Sequence, residues 1–445
     1  MFRKIFAGVI GVIVVAAVGL IGFLLVAPPD LLRVGTNYSA KIVCSNVFLA
    51  GRDAGEVLAE DVQAPGHPLL RHISVTVDED ERAVDARLFR FFAPARSEYR
   101  PGLGCTNVHG AALSDAEFEP VTADAQGLWP EGNEVAPSQD AEIDAVLSDG
   151  ALLGPGYRAV VVVRGGRIVG ETYAEGFDAE TPLLGWSMTK TVTAGLIGTL
   201  IASGEMTRDG DLTGSFPAWS EDDRSAITVE DMLAMSSGLE WNEGYGNVTD
   251  VTSMLYLTDD MAGYASNKPL AAEIGAEFTY SSGTSTMLSR RWQDVVGDDS
   301  LSYPRDALFG PLGMSSAVME TDAEDTYVGS SYMYATARDW ARFGQFLLQD
   351  GSWGGARLLP EGFTDWMEAP VAASEGRYGQ GHLWLEGARN GAQFADAFWM
   401  RGHDGQSVGI FPSEDMVIVR LGLTPSDLGY SALPLAEALI AAFEG

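Results

Sequence analysis

Basic residues are scarce in this 445-residue chain: 28 lysines and arginines stand against 62 aspartates and glutamates, a formal net charge of -34. So negative a field repels phosphates, which argues against nucleic acid and anionic membrane surfaces as partners. A solvated acidic surface accounts for the excess. Histidine is rarer still, with five residues, and there are two cysteines. No H-E-x-x-H pattern occurs, and no Cys or His pair stands near the two cysteines in a zinc pattern, so a metal hydrolase finds little material here. No cofactor is implied. What remains is ordinary for a folded chain: 46% hydrophobic, 10% aromatic and 20% charged residues, in a length that permits one large domain or two to three smaller ones.

One feature is not scarce. From Ile5 to Ala27 the chain is an unbroken apolar run, preceded by Arg3 and Lys4 and closed by Pro28-Pro29-Asp30. As a helix rising ~1.5 Å per residue the run spans roughly 34 Å, against ~30 Å for a bilayer core. A signal peptide also begins with basic residues, but its apolar region is usually shorter, about 7–15 residues. The length favours an uncleaved anchor with the basic pair in the cytoplasm, which sends everything after Pro29 across the membrane to the periplasmic or extracellular face. Export in turn permits a disulfide between Cys44 and Cys105; two buried thiols are the alternative.

The remaining chain divides by pattern. Residues 1–30 form the membrane segment, and 31–135 read as an irregular N-terminal extension that packs on the main domain, with short strand-like pieces such as His72–Val77. Residues 136–445 carry the main domain. A short helix is expected near Ala141–Leu147. Two β-rich runs, Tyr157–Val163 and Arg167–Tyr173, flank Gly165-Gly166 and predict a hairpin. Thr189–Met206 has apolar residues near helical period, with Gly195, Gly198 and Gly204 pointing to close packing. Thr228 and Thr336 open capped helices, each with an Asp three residues on. Ser407–Phe411 and Met416–Leu423 read as strands, and Pro434–Phe443 as a last helix. Strands at both ends of a helical middle predict an α+β domain whose sheet is assembled from both ends of the sequence.

The chemistry-bearing residues fall in three places. Ser187-Met-Thr-Lys190 stands at the start of the apolar helix, where residues three apart share a face. An alcohol becomes a nucleophile when a neighbouring base takes its proton, and burial lowers a lysine's pKa enough for that task. Tyr280-Ser-Ser282-Gly-Thr284 places a phenol and hydroxyls on a loop before a helix. His403-Asp-Gly405-Gln406 precedes a strand, with a glycine that lets substrate lie along the backbone. The α/β-hydrolase motif is incomplete around the first serine: Gly185-Trp-Ser187-Met-Thr189 lacks its second glycine.

Taken in order, these segments resemble the serine β-lactamase and penicillin-binding-protein superfamily, whose signatures run S-x-x-K, then Y-x-N or S-x-N, then K-T-G or H-x-G. The resemblance covers about Ala141 to Gly445. Tyr-Ser-Ser-Gly-Thr and Gly-His-Asp-Gly-Gln look like the branch holding class C-type esterases and 6-aminohexanoate-dimer (nylon-oligomer) hydrolases. It implies a β-lactamase/transpeptidase-like α+β fold, with an antiparallel sheet flanked by helices and a mostly helical inserted subdomain. It also implies an acyl-enzyme on Ser187, with Lys190 and Tyr280 as acid and base, and an oxyanion hole from the backbone N–H groups of Ser187 and Gln406. Ser282, His403 and Gly405 are then expected to orient substrate or the Tyr–Lys pair. Tyr245, in the loop Trp241–Tyr245, is a candidate pocket wall.

Two departures narrow the substrate. Ser282 stands where β-lactamases carry Asn, and His403 where penicillin-recognising members carry Lys to bind a carboxylate. A histidine, with a reference pKa near ~6.5, is a weaker anion anchor. The expectation is therefore a hydrolase of small esters or amides. A peptidoglycan D-alanyl-D-alanine carboxypeptidase or β-lactamase, and a non-catalytic cell-envelope binding protein of the same fold, are the alternatives.

Overall fold

The structure is a computed structural model that describes residues 2–122, 126–138, 140–386 and 394–444. It falls into two compact units. The first comprises Met1–Tyr99, Cys105–Leu113 and Gly244–Asp259; the second holds Arg100–Gly104, Ser114–Glu243 and Asp260–Gly445. The first unit thus borrows a segment from the middle of the chain, which no composition shift in the sequence marks.

In the first unit, helix α1 (Phe2–Val26) is apolar from Ile5 onward, and its Val9–Val26 stretch has mean hydropathy 3.1 with none of it buried. It is long enough to cross a membrane, whether as an anchor or as a signal segment. A second helix, α2 (Asp30–Phe48), follows immediately where irregular chain was expected. Its buried positions mix Thr36, Asn37, Ser39, Lys41, Ser45 and Asn46 with Val34, Ala40, Ile42, Val43 and Cys44, so polar burial breaks up the apolar stripe. It packs on the sheet β1 (Ile73–Asp78), β2 (Ala83–Leu88), β3 (Phe92–Arg100) and β4 (Gly104–Asn107), and on a short helix at Asp250–Leu257. Cys44 on α2 and Cys105 on β4 are disulfide-bonded, their Cα atoms 6.1 Å apart.

The second unit is built on a six-stranded antiparallel sheet. Its strands are β5 (Tyr157–Arg164), β6 (Arg167–Tyr173), β7 (Trp384–Leu385), β8 (Phe398–Arg401), β9 (Ser407–Phe411) and β10 (Met416–Gly422), in the order β7-β8-β9-β10-β5-β6. The α+β expectation holds, and the sheet does join both ends of the domain: Val162 of β5 pairs with Ile418 of β10. The β5–β6 turn needs its glycines, since Gly165 and Gly166 have φ of 57° and 71°. Both faces of the sheet are covered, which is why β5 and β10 are apolar without alternation. On one face Val160, Val162, Ile418 and Trp399 pack with Ile143 and Leu147 of α3 (Ala141–Ser148) and Leu435 and Leu439 of the last helix, Leu433–Glu444.

The other face is covered by a helix of the middle chain, one of three such helices that frame the site. Helix α4 (Thr189–Ser203) is buried from Thr189 to Leu200, and ends three residues before the sequence pattern suggested because Gly204 turns left-handed at φ 81°. Its glycines admit close neighbours: a Cβ on Gly198 would come within 2.7 Å of Leu359 and Phe363. Helix α5 (Ser282–Val296) packs beside it, and α6 (Ala337–Leu348), capped by Thr336, lies on β9 and β10.

Candidate active site

Ser187 sits in a tight turn, Trp186–Met188, that feeds directly into α4. Two features place it. Trp186 holds a left-handed φ of 48°, a conformation costly for a bulky residue and stable only where packing over-determines it. Gly185 lies against the ring of Trp340, so close that a Cβ would approach to 2.2 Å. The turn is thereby pinned between strand and helix, and Ser187 is half-buried while Trp186 and Met188 on either side are buried.

One helical turn on, Lys190 is buried, 1% exposed. Its Nζ donates to Ser187 Oγ at 3.1 Å, to Ser282 Oγ at 3.0 Å and to the Ser330 carbonyl at 2.9 Å. It also lies 4.8 Å from the centre of the Tyr280 ring. Burial pulls its pKa down to about 8, against a smaller upward pull from Glu243. Burial, reinforced by Glu243, pushes the Tyr280 pKa well above the usual tyrosine value, and the nearby Ser187 side chain pulls the other way. Near neutral pH the phenol therefore keeps its proton, and Lys190 is the group able to change charge.

The second signature meets the first through Ser282. This residue opens α5, with Ser281 as its cap accepting from Thr284 N–H at 3.0 Å. Ser282 donates from Oγ to Glu243 Oε1 at 2.5 Å and from its backbone N–H to Glu243 Oε2 at 2.9 Å. Trp241 Nε1–H donates to the same carboxylate at 2.6 Å. Gly283 must be small here, because a Cβ would press within 2.5 Å of the Trp241 ring.

The third signature packs on the Ser187 turn. A Cβ on Gly402 would strike the Gly185 carbonyl at 2.2 Å, and the His403 ring stands edge-on to Trp186 at 5.5 Å. His403 Nε2 lies 3.4 Å from Asp404 Oδ1, with 36% of its side chain exposed. Asp404 and Gly405 take left-handed φ of 56° and 82°, which carries the chain into β9. The Gln406 side chain faces inward: Nε2 donates to the carbonyls of His403, Asp404 and Gly422, and Oε1 accepts from Gly422 N–H at 2.8 Å. Neither the Ser187 nor the Gln406 backbone N–H meets an internal acceptor among the described residues. Two such free donors on adjoining turns are what a carbonyl oxygen acquiring charge requires.

Tyr245 belongs to the first unit and is half-buried. From that loop it is Glu243, two residues earlier, that reaches Ser282. Three further groups carry no sequence motif: Ser330, through its carbonyl; Trp384, whose ring lies 5.3 Å from that of Tyr280; and His382. His382 Nε2 pairs with Ser285 Oγ at 3.1 Å and Nδ1 with the Tyr378 hydroxyl at 3.4 Å. Burial, helped by the nearby Lys190 charge, drives its pKa down to about 3, so the imidazole is neutral at any physiological pH. Gly405-Gln-Ser407-Val-Gly409 does spell G-x-S-x-G, but Ser407 is buried and opens a strand, not the strand-to-helix turn that motif requires.

Comparison with known proteins gives the family and the fold. The Beta-lactamase family model matches residues 155–429. The chain belongs to the Beta-lactamase family. The 6-aminohexanoate-dimer hydrolase of Paenarthrobacter ureafaciens is 24% identical over 291 residues, 60% of this chain and 72% of that protein. A Bacillus anthracis structure provisionally named as such a hydrolase superposes with TM-score 0.59 at 21% identity, covering 74% of this chain and 90% of its own. A family VIII carboxylesterase superposes with TM-score 0.54 at 15% identity, covering 69% and 99%. This Beta-lactamase-family chain is accordingly a serine hydrolase by fold and family.

Proposed function

We propose that this protein hydrolyses small esters or amides through an acyl-enzyme on Ser187. The observation that carries the reading is the buried Lys190 amine 3.1 Å from Ser187 Oγ. In the acylation step the Ser187 Oγ–H proton passes to neutral Lys190 as the Oγ–carbon bond forms, and the carbonyl electron pair moves onto oxygen. The N–H groups of Ser187 and Gln406 are the donors for that oxyanion. On collapse the bond to the leaving group breaks, and the leaving atom takes a proton from Lys190 by way of the Tyr280 hydroxyl. Water then repeats the sequence in place of the serine and frees the acid. Ser282 and His403 orient these groups and the substrate.

The substrate reading rests on charge. The third signature offers a half-exposed histidine beside a carboxylate where a carboxylate-binding member would carry lysine, which favours neutral acyl compounds over penicillin-like anions. The apolar α1 supports anchorage with the catalytic unit outside the cytoplasm, where such substrates arrive first. A panel of nitrophenyl esters, anilides and a chromogenic cephalosporin, assayed on wild type and Ser187→Ala, tests the proposal. Ester or anilide turnover that vanishes in Ser187→Ala, with a covalent acyl adduct on Ser187 by mass spectrometry, is expected. Undiminished turnover by Ser187→Ala would sink it, and cephalosporin hydrolysis as the dominant activity would overturn the substrate class.

A further inference from the structure

The three hydrogen bonds of Lys190 pose a question of polarity. A lysine ammonium has three N–H donors, and here all three are satisfied: by Ser187, by Ser282 and by the Ser330 carbonyl. A neutral amine has only two N–H groups and one lone pair, and it works as a base only if the lone pair faces Ser187. The Ser330 carbonyl can only accept, so it takes one N–H. A hydroxyl such as that of Ser282 can donate or accept. Were it to donate, it would capture the lone pair, and the amine would turn its remaining N–H on the serine it is meant to deprotonate.

Glu243 removes that ambiguity. Its carboxylate is an acceptor only, and it lies 2.5 Å from Ser282 Oγ, so the Ser282 hydrogen is committed to it. It is held there by the Ser282 backbone N–H and by Trp241 Nε1–H, on a loop whose Trp241 ring closes over Gly283. Ser282 must then accept from Lys190. We propose that Glu243 is a positioning residue that, acting through Ser282, forces the lone pair of the neutral Lys190 amine toward the Ser187 hydroxyl. The inference rests on the acyl-enzyme reading and deepens it. It also gives the second signature a task distinct from holding a substrate amide: the serine in its third position is one link in a carboxylate–hydroxyl–amine chain.

The titratable groups around the amine are Glu243, Tyr280 and His382, and only Glu243 brings an upward pull on its charged form. Glu243→Gln should therefore do two things that a general loosening of the loop would not do together. The acid limb of the kcat/KM profile should move to lower pH by about one unit, since a neighbouring opposite charge is gone. The plateau at pH 9, where the amine is mostly neutral in both proteins, should nevertheless fall by about 10–100-fold, because an amide N–H can donate to Ser282 and free the Ser282 hydrogen to capture the lone pair. Ser282→Ala should lower the plateau similarly, and adding Glu243→Gln to it should cost less than about threefold more, as links of one chain behave.

The assay is short-chain nitrophenyl ester hydrolysis from pH 6 to 9.5, with melting temperatures recorded for each variant. A Glu243→Gln enzyme within twofold of wild type at pH 9, with an unmoved limb, overturns the inference while an inactive Ser187→Ala leaves the acyl-enzyme reading standing. Should Glu243→Gln not fold, Ser282→Ala decides: a plateau within twofold of wild type overturns the proposal. Turnover surviving in Ser187→Ala would remove the underlying reading and this inference with it.

Discussion

Replacing Lys190 with methionine removes the proposed base while keeping an unbranched side chain of similar length, and its consequences can be worked out in both rate and stability. With the amine's pKa near about 8, its neutral fraction rises from about 0.1 at pH 7 to about 0.9 at pH 9, so wild-type kcat/KM should climb close to tenfold across that interval. Lys190→Met should lose roughly 10²–10⁴ in kcat/KM, the usual worth of a positioned base, and the limb should disappear. The stability effect follows from the same burial. A lysine whose folded pKa lies below its unfolded value binds fewer protons in the native state, so it destabilises the fold at low pH and less so as pH rises. A fall from 10.5 to about 8 corresponds to a cost of about 3 kcal/mol at pH 7, shrinking to about 2 kcal/mol at pH 9. Urea unfolding at both pH values should therefore show wild type gaining about 1 kcal/mol relative to Lys190→Met between pH 7 and pH 9. The Ser330 carbonyl and Ser282 hydroxyl left behind in the variant lower its stability by a pH-independent amount, which cancels in that comparison. A limb that persists in Lys190→Met, or a wild-type rate flat between pH 7 and 9, would refute the assignment of Lys190 as base.

Two further outcomes test the framework around the site. Gly185→Ala puts a Cβ 2.2 Å from the Trp340 ring, and it should cost about 1–3 kcal/mol in thermal melts and lower Ser187 acylation by displacing the turn; an unchanged melt with normal burst kinetics would show that the turn is not pinned there. Cys44 and Cys105 close a loop with a sequence separation of 61, so Cys44→Ser with Cys105→Ser should destabilise the first unit by about 4 kcal/mol in the loop-entropy picture. Indifference of the melting curve to reduction would contradict it.

Much of this molecule is written in short-range pattern. A three-residue spacing at a helix start makes Ser187 and Lys190 neighbours whatever else the chain does, and β-rich runs on either side of two glycines specify the β5–β6 hairpin. Helix caps at Thr228 and Thr336, with an Asp three residues later, are local hydrogen-bond arrangements and were legible for that reason. Helix α2 escaped because polar residues share its buried face with apolar ones, and such a mixed face looks like a loop when read in one dimension. Glu243 lay in a loop singled out for its aromatics, yet nothing about a lone carboxylate two residues from a tryptophan announces which hydroxyl it will meet.

Sequence alone determined which residues could do chemistry, since nucleophile, amine and phenol are properties of side chains and of spacings within one turn. Tertiary structure decided which groups surround the amine and which of them can accept its hydrogen bonds. Ser282 and Ser330 reach Lys190 across separations of 92 and 140 residues, and burial of the amine among them brings its pKa near neutrality. Electric fields and hydrogen-bond polarity depend on distances through space, and only the folded chain sets those.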